Sequence, residues 1–106
     1  MTNLVVHVDE PEKVAMAISN VHNFLDLRPT STVVIVVNGP AITTLTTSVW
    51  DDLLQNLPQV EVDACRNAMT SHDIQADQLP DGVTVVPAGV VRLVDLQDAG
   101  YAYLRP

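Results

Sequence analysis

The residues best equipped for chemistry gather at Val60–Asn67, Val-Glu-Val-Asp-Ala-Cys-Arg-Asn, which contains the one cysteine of the chain. The alternation of apolar residues predicts a buried strand, Val60–Ala64, with Cys65 as the first residue of the turn beyond its carboxyl end. In open α/β sheets ligands collect at that edge, where strand ends meet helix N-termini. Two readings of Cys65 stand side by side. A buried cysteine commonly behaves as a small, inert hydrophobe. A cysteine at a strand end can instead be a reactive thiol, since the thiolate is the nucleophile and turn amides or the adjacent Arg66 would stabilise it. A helix starting soon after would add its dipole. Asn67 follows within the same turn and could orient the anion.

Asn38-Gly39-Pro40 and Pro87-Ala88-Gly89 close two further strands and should share the sheet edge with Cys65. Each is either a plain turn or a place where glycine lets backbone approach a ligand closely. The three histidines are dispersed. His7 lies inside the first strand on the side of Val5 and Asp9, and His22 falls on the polar side of a helix. His72, beside Asp73, lies seven positions after Cys65. A Cys–His pair would activate the thiol, but spacing does not bring these two together. One cysteine and three scattered histidines lack the spacing of a zinc site, so no metal is expected. Walker A, GxGxxG and G-x-S-x-G patterns are absent, and no cofactor is expected.

The elements that must hold these residues follow from periodicity. Leu4–Val8 is β-branched and almost wholly apolar, as strands buried on both faces are. Asp9-Glu10-Pro11-Glu12 opens a helix through acidic and proline start signals, and Val14, Ile18, Val21 and Leu25 form its stripe. Arg28-Pro29 ends it. Thr32–Val37 is the second strand and should be central. Ala41–Thr47 is ambiguous between extended structure and a helix start. Ser48 with Asp51 resembles a capping box ahead of a face made by Trp50, Leu53, Leu54 and Leu57. Between Arg66 and Gly82 a short helix is pinned by Ile74 and Leu79. Val83–Val86 is a fourth strand. Val90, Val91, Val94 and Leu96 fit a last helix, with Gly100 as its left-handed cap. Tyr101–Leu104 is a short final strand. Strands alternating with helices predict a parallel sheet covered by helices on both faces.

The length of 106 residues suits one domain, 1–106. The core must be aliphatic, because few residues are aromatic. A net charge of −8 with five scattered basic residues argues against nucleic acid and anionic membrane surfaces as partners. The start, Met1-Thr2-Asn3, shows no leader pattern. No apolar stretch approaches the ~20 residues needed to span a bilayer. A lone cysteine makes no internal disulfide, so the cytoplasm is the simplest compartment.

Taken in order, His7-Val8-Asp9, Asn20–Leu25, Val36-Val37-Asn38-Gly39-Pro40, Ala64–Met69, Val86–Val91 and Gly100–Pro106 give the chain a resemblance to the DsrE/DsrF-like family, among its small single-domain members. The resemblance covers nearly the whole chain. It implies a three-layer α/β/α sandwich around a five-stranded parallel sheet, and homo-oligomers, commonly trimers or hexamers. In relatives a cysteine carries sulfane sulfur as a persulfide between proteins, and that role transfers only to Cys65. Where relatives often have His-Gly-Pro, this chain has Asn38-Gly39-Pro40.

Two functions are therefore expected as alternatives. In the first, the chain is a sulfur carrier, or sulfurtransferase-like relay without a turnover reaction of its own. Cys65 would hold the persulfide, with Arg66, Asn67, Asn38, Gly39, His7 and Gly89 around it, and the partners would be sulfur donor and acceptor proteins or small thiols. In the second, it is a non-enzymatic oligomeric module that binds a small ligand, with Cys65 as a wall residue. Tyr101, Tyr103 and Trp50 are large amphipathic groups of the kind enriched at subunit contacts, or else they cover the sheet edge and core.

Overall fold

Five parallel strands form the sheet of the computed structural model, which describes residues 2–106; Met1, where the N-terminal reading begins, lies outside the described residues. The strands are β1 (Leu4–Val8), β2 (Val33–Val37), β3 (Val60–Cys65), β4 (Val83–Val86) and β5 (Ala102–Leu104), in spatial order β4-β3-β2-β1-β5. The helices are α1 (Val14–Leu27), α2 (Asp51–Asn56), α3 (Arg66–Ser71) and α4 (Gly89–Asp98). Short 3-10 segments span Pro11–Lys13, Gly39–Thr46 and Ala76–Gln78.

Strand order fixes where the helices go. From β1 to β4 each strand is added on the same side of the last, so right-handed crossovers place α1, α2 and α3 on one face. The step from β4 to β5 runs back across the sheet, which puts α4 on the opposite face. The first face carries the larger core. Leu4, Val6, Val8, Val33, Ile35, Val37, Val60 and Val62 pack there against Val14, Val21, Ile42, Leu45 and Leu53. The second face has a smaller one: Val5, Val34 and Val36 against Leu93 and Leu96, with Tyr101 at the margin. The result is an α/β/α arrangement whose outer layers differ greatly in size.

Several local expectations change. Ser48 and Asp51 do not form a capping box: Trp50 is the residue before α2, and the Asp51 amide donates to the Ser48 carbonyl at 3.1 Å. The ambiguous threonine-rich stretch is a long 3-10 segment, in which Thr43, Thr44, Thr46 and Thr47 each donate a hydroxyl to the carbonyl three residues back. Such back-bonding offers the chain a local alternative to the α-helical ladder. Trp50 is not a surface contact residue. It is 0% exposed and donates Nε1–H to Thr44 Oγ1 at 2.9 Å, pinning that segment to the core. In α4 the inward residues are Gly89, Leu93 and Leu96, while Val90, Val91 and Val94 are 62%, 56% and 64% exposed.

Candidate functional site

Three strand ends meet at the carboxyl edge of the sheet. The end of β2 supplies Asn38 and Gly39. The β3–α3 junction supplies Cys65, Asn67, Ala68, Ser71 and His72, and the β4–α4 junction supplies Ala88, Gly89 and Val90. They enclose a cavity of about 340 Å³. Cys65 is the residue at which β3 ends and α3 begins, so the chain changes direction at the sulfur-bearing residue itself. Its side chain is buried, with 6% of the residue exposed, and it lines this cavity rather than being sealed inside the core.

The Gly89 amide donates to Cys65 Sγ at 3.2 Å. Gly89 is the first residue of α4, whose opening amides have no partner within the helix. One of these free donors is thus spent on sulfur. A side chain at position 89 would interfere, because a Cβ there would lie 3.1 Å from Asn38 Cβ and 3.3 Å from Cys65 Cβ. The residue is glycine so that β2, β3 and α4 can close on one another. Gly39 has a different reason. Its φ of +53° turns the chain over the end of β1, where an added Cβ would come within 3.1 Å of the Asp9 carbonyl oxygen.

Asn38 is held from behind. His7 Nε2 lies 2.9 Å from Asn38 Oδ1, and His7 Nδ1 lies 2.7 Å from the Tyr103 hydroxyl. His7 therefore stands behind the cavity wall rather than in it. Arg66 does not join the group. It is exposed and lines a separate concavity with Met69, Thr70, Asp73 and Ile74, because the first residue of α3 projects away from the thiol. His72 and Asn67 share the cavity with Cys65, but the hydrogen bond on Sγ comes from Gly89.

Beneath α4 the alternation of β3 produces a feature that sequence reasoning missed. Asp63 is fully buried, and Arg92 donates Nε–H to its Oδ2 at 2.8 Å while NH2 reaches Glu61 Oε2 at 3.1 Å. Burial pushes the Asp63 carboxyl up to about 7; the neighbouring Glu61 adds to the rise and Arg92 opposes it. Glu61 moves the other way, held below its ordinary range first by a hydrogen bond from Asp63 and then by Arg92. Asp63 Oδ1 is buried and faces no donor among the described residues. The sequence signal was Glu61 and Asp63 on one strand face with a lone arginine in the last helix. The cluster ties β3 to α4 two residues before Cys65 and three after Gly89.

Among the described residues no group of histidine, cysteine and carboxylate side chains is arranged to hold a metal ion, and no helix is long and apolar enough to cross a membrane. No protein-family model matches the sequence, and comparison with curated proteins gives no match. Solved structures do resemble the chain. MTH1491 of Methanobacterium thermoautotrophicum, a protein of unknown function, is 27% identical over the whole of both chains with a TM-score of 0.89. The ychN protein of E. coli is 15% identical over the whole of both chains, with a TM-score of 0.84. BT1422 of Bacteroides thetaiotaomicron, also of unknown function, is 15% identical over 98% of this chain and 94% of its own, with a TM-score of 0.74. MTH1491 and ychN have the DsrE-like fold, and this chain shares that architecture.

Proposed function

We propose that the chain is a DsrE/DsrF-like sulfur carrier, in which Cys65 holds sulfane sulfur as a persulfide. The observation that carries this reading is the Gly89 amide aimed at a cysteine sulfur in an open cavity. The Cys65 thiolate would attack the outer sulfur of a donor persulfide. A sulfur–sulfur bond forms to Cys65, the donor's own bond breaks, and the donor leaves as a thiolate. An acceptor thiolate then repeats the exchange on Cys65, with no net oxidation and no second cysteine in this chain. The cavity walls carry no carboxylate, lysine or arginine side chain, so donors and acceptors would be recognised by small polar contacts rather than by ion pairs. A reducing compartment such as the cytoplasm would keep the thiol available.

Treatment with a small sulfane donor, followed by intact mass, should add one sulfur atom to the wild type and none to Cys65→Ser. Wild type without that gain ends the reading. A second reading, a non-enzymatic small-ligand module, draws on the cavity itself, which falls at the lower end of the ~300–1,000 Å³ typical of ligand sites. It requires that Cys65→Ser leave ligand binding and function intact.

Homo-oligomerisation, as trimer or hexamer, belongs to the same proposal. Val90, Val91 and Val94 leave an apolar stripe on α4 beside the cavity, and burying it between copies would remove that surface from water. Light scattering should give a multimer for the wild type and a smaller species for Val91→Glu. A monomeric wild type rejects the assembly.

A further inference from the structure

We infer that the Asn38 side-chain amide receives the added sulfur on Cys65, and that His7 and Tyr103 are positioning residues that keep its N–H groups turned toward it. The inference rests on the carrier reading and deepens it. Asn38 Oδ1 is an acceptor only, so His7 Nε2 must carry a hydrogen to bond it at 2.9 Å. In the neutral ring Nδ1 is then bare and accepts the Tyr103 hydroxyl hydrogen at 2.7 Å. Every donor in the chain points the same way, from Tyr103 through His7 to Asn38. The amide end left over is Nδ2, with two hydrogens.

Nδ2 is found on the cavity side. It and Cys65 Cβ both lie 3.3 Å from the point where a Gly89 Cβ would stand. Among the described residues no group accepts its hydrogens, and the resting thiol already has the Gly89 amide. The two donors thus divide by position: Gly89 serves Sγ, and Asn38 serves the sulfur one bond further out, about 2 Å away. That outer atom is the one that carries negative charge in a deprotonated persulfide. If the relay were reversed, the Asn38 carbonyl oxygen would face the anion and repel it. The relay links β1, β2 and β5, and β5 is placed next to β1 by the last crossover.

The test measures the equilibrium occupancy of Cys65 persulfide against a glutathione persulfide/glutathione couple by intact mass, beside the rate at which the unloaded thiol is alkylated. Asn38→Leu should lower occupancy roughly tenfold, the effect of one hydrogen bond to a charged atom, and by more than it lowers alkylation. His7→Leu should do the same, and His7→Gln, whose amide can still donate to Asn38, should restore occupancy. Tyr103→Phe should give a smaller loss. In the wild type, nitrogen-15 NMR should show the neutral His7 ring protonated on Nε2. The Nδ1-protonated form overturns the inference, and this measurement needs no variant to fold. Equal loading of Asn38→Leu and wild type overturns the inference alone. A wild type that takes up no sulfur ends the carrier reading and this inference with it.

Discussion

Replacing Gly89 with alanine puts a methyl group where three elements converge. The new carbon would stand 3.1 Å from Asn38 Cβ, 3.3 Å from Asn38 Nδ2 and 3.3 Å from Cys65 Cβ. Non-bonded carbons prefer ~3.5–4.0 Å, so neighbours must yield by several tenths of an ångström. Overpacking of this kind costs about 1–3 kcal/mol. Alanine returns part of that through helix propensity, at most ~1 kcal/mol and less in a first turn. A net loss of about 1 kcal/mol lowers the melting temperature by roughly 4–8 °C in a domain near this size. The larger effect should fall on the thiol. Relief of the clash moves the start of α4 away from β3, and the 3.2 Å amide–sulfur hydrogen bond lengthens. Hydrogen bonds to charged atoms contribute ~1.5–3 kcal/mol, so losing about half of one slows thiolate alkylation by about four- to tenfold. Iodoacetamide rates followed by intact mass, with thermal melts by circular dichroism, measure both. Gly100→Ala is the control: its φ is +96° but nothing lies within 4 Å of the added carbon. It should lose stability through backbone strain and leave the alkylation rate alone. Wild-type alkylation and melting in Gly89→Ala would refute the claim that this glycine exists to close the site.

Other perturbations probe the frame around it. Gly39→Ala combines a φ of +53° with a 3.1 Å approach to the Asp9 carbonyl oxygen, and should cost about 2 kcal/mol or more, read as a lowered urea midpoint at unchanged slope. Trp50→Ala empties the largest fully buried side chain and removes the hydrogen bond that Thr44 Oγ1 accepts, and should cost roughly 3–5 kcal/mol by the same measurement. Asp63 is held up to about 7 by burial, so it binds its proton more tightly folded than unfolded. Its contribution to stability is full below its ordinary value of 3.8 and is lost as pH rises toward 7. Asp63→Asn keeps the shape without the charge, so its stability relative to wild type should improve between pH 5 and pH 8; a difference that stays constant over that range contradicts the assignment.

The parallel sheet was readable because each strand is a short β-branched run bounded by Pro, Gly or Asn, and those two signals reinforce one another. Cys65 at a strand end was readable for the same reason: Val60–Ala64 alternates and then stops. What was not readable depends on which strands become neighbours. His7 and Tyr103 are 96 positions apart, and only the adjacency of β1 and β5 brings them together. The inward face of α4 was not readable because Val90, Val91 and Val94 are as apolar as Leu93 and Leu96, and hydrophobicity alone does not rank two apolar stripes. The direction of Arg66 was not readable because adjacency in sequence does not set spatial proximity: the first residue of a helix leaves its turn in its own direction. Asp63 was hidden by the rule that polar residues of an alternating strand face water. Here that face lies under α4, and the carboxylate is buried with Arg92 instead.

The asymmetry of the two sheet faces ties these features together. Three crossovers share one face, and a single helix of ten residues must serve the other. α4 packs across β1, β2 and β3, and polar side chains border its aliphatic contact on both sides. Glu61 and Asp63 lie on the β3 side and pair with Arg92, with Asp63 fully buried beneath the helix; His7 and Tyr103 lie on the β1 and β5 side and pair with each other. Because α4 begins at the sheet's carboxyl edge, each also borders the site, one through Arg92 on the helix that carries Gly89 and one through Asn38. Enlarging the aliphatic core on this face, for example with Asp63→Leu and Arg92→Leu together, should therefore be tolerated by the fold, since replacing a buried ion pair with apolar residues is often neutral or stabilising. The same change removes the tie that sets α4 over β3, so the double variant should melt no lower than wild type while its Cys65 alkylation rate departs from it. A wild-type rate in a stable double variant would show that the ion cluster and the thiol are independent.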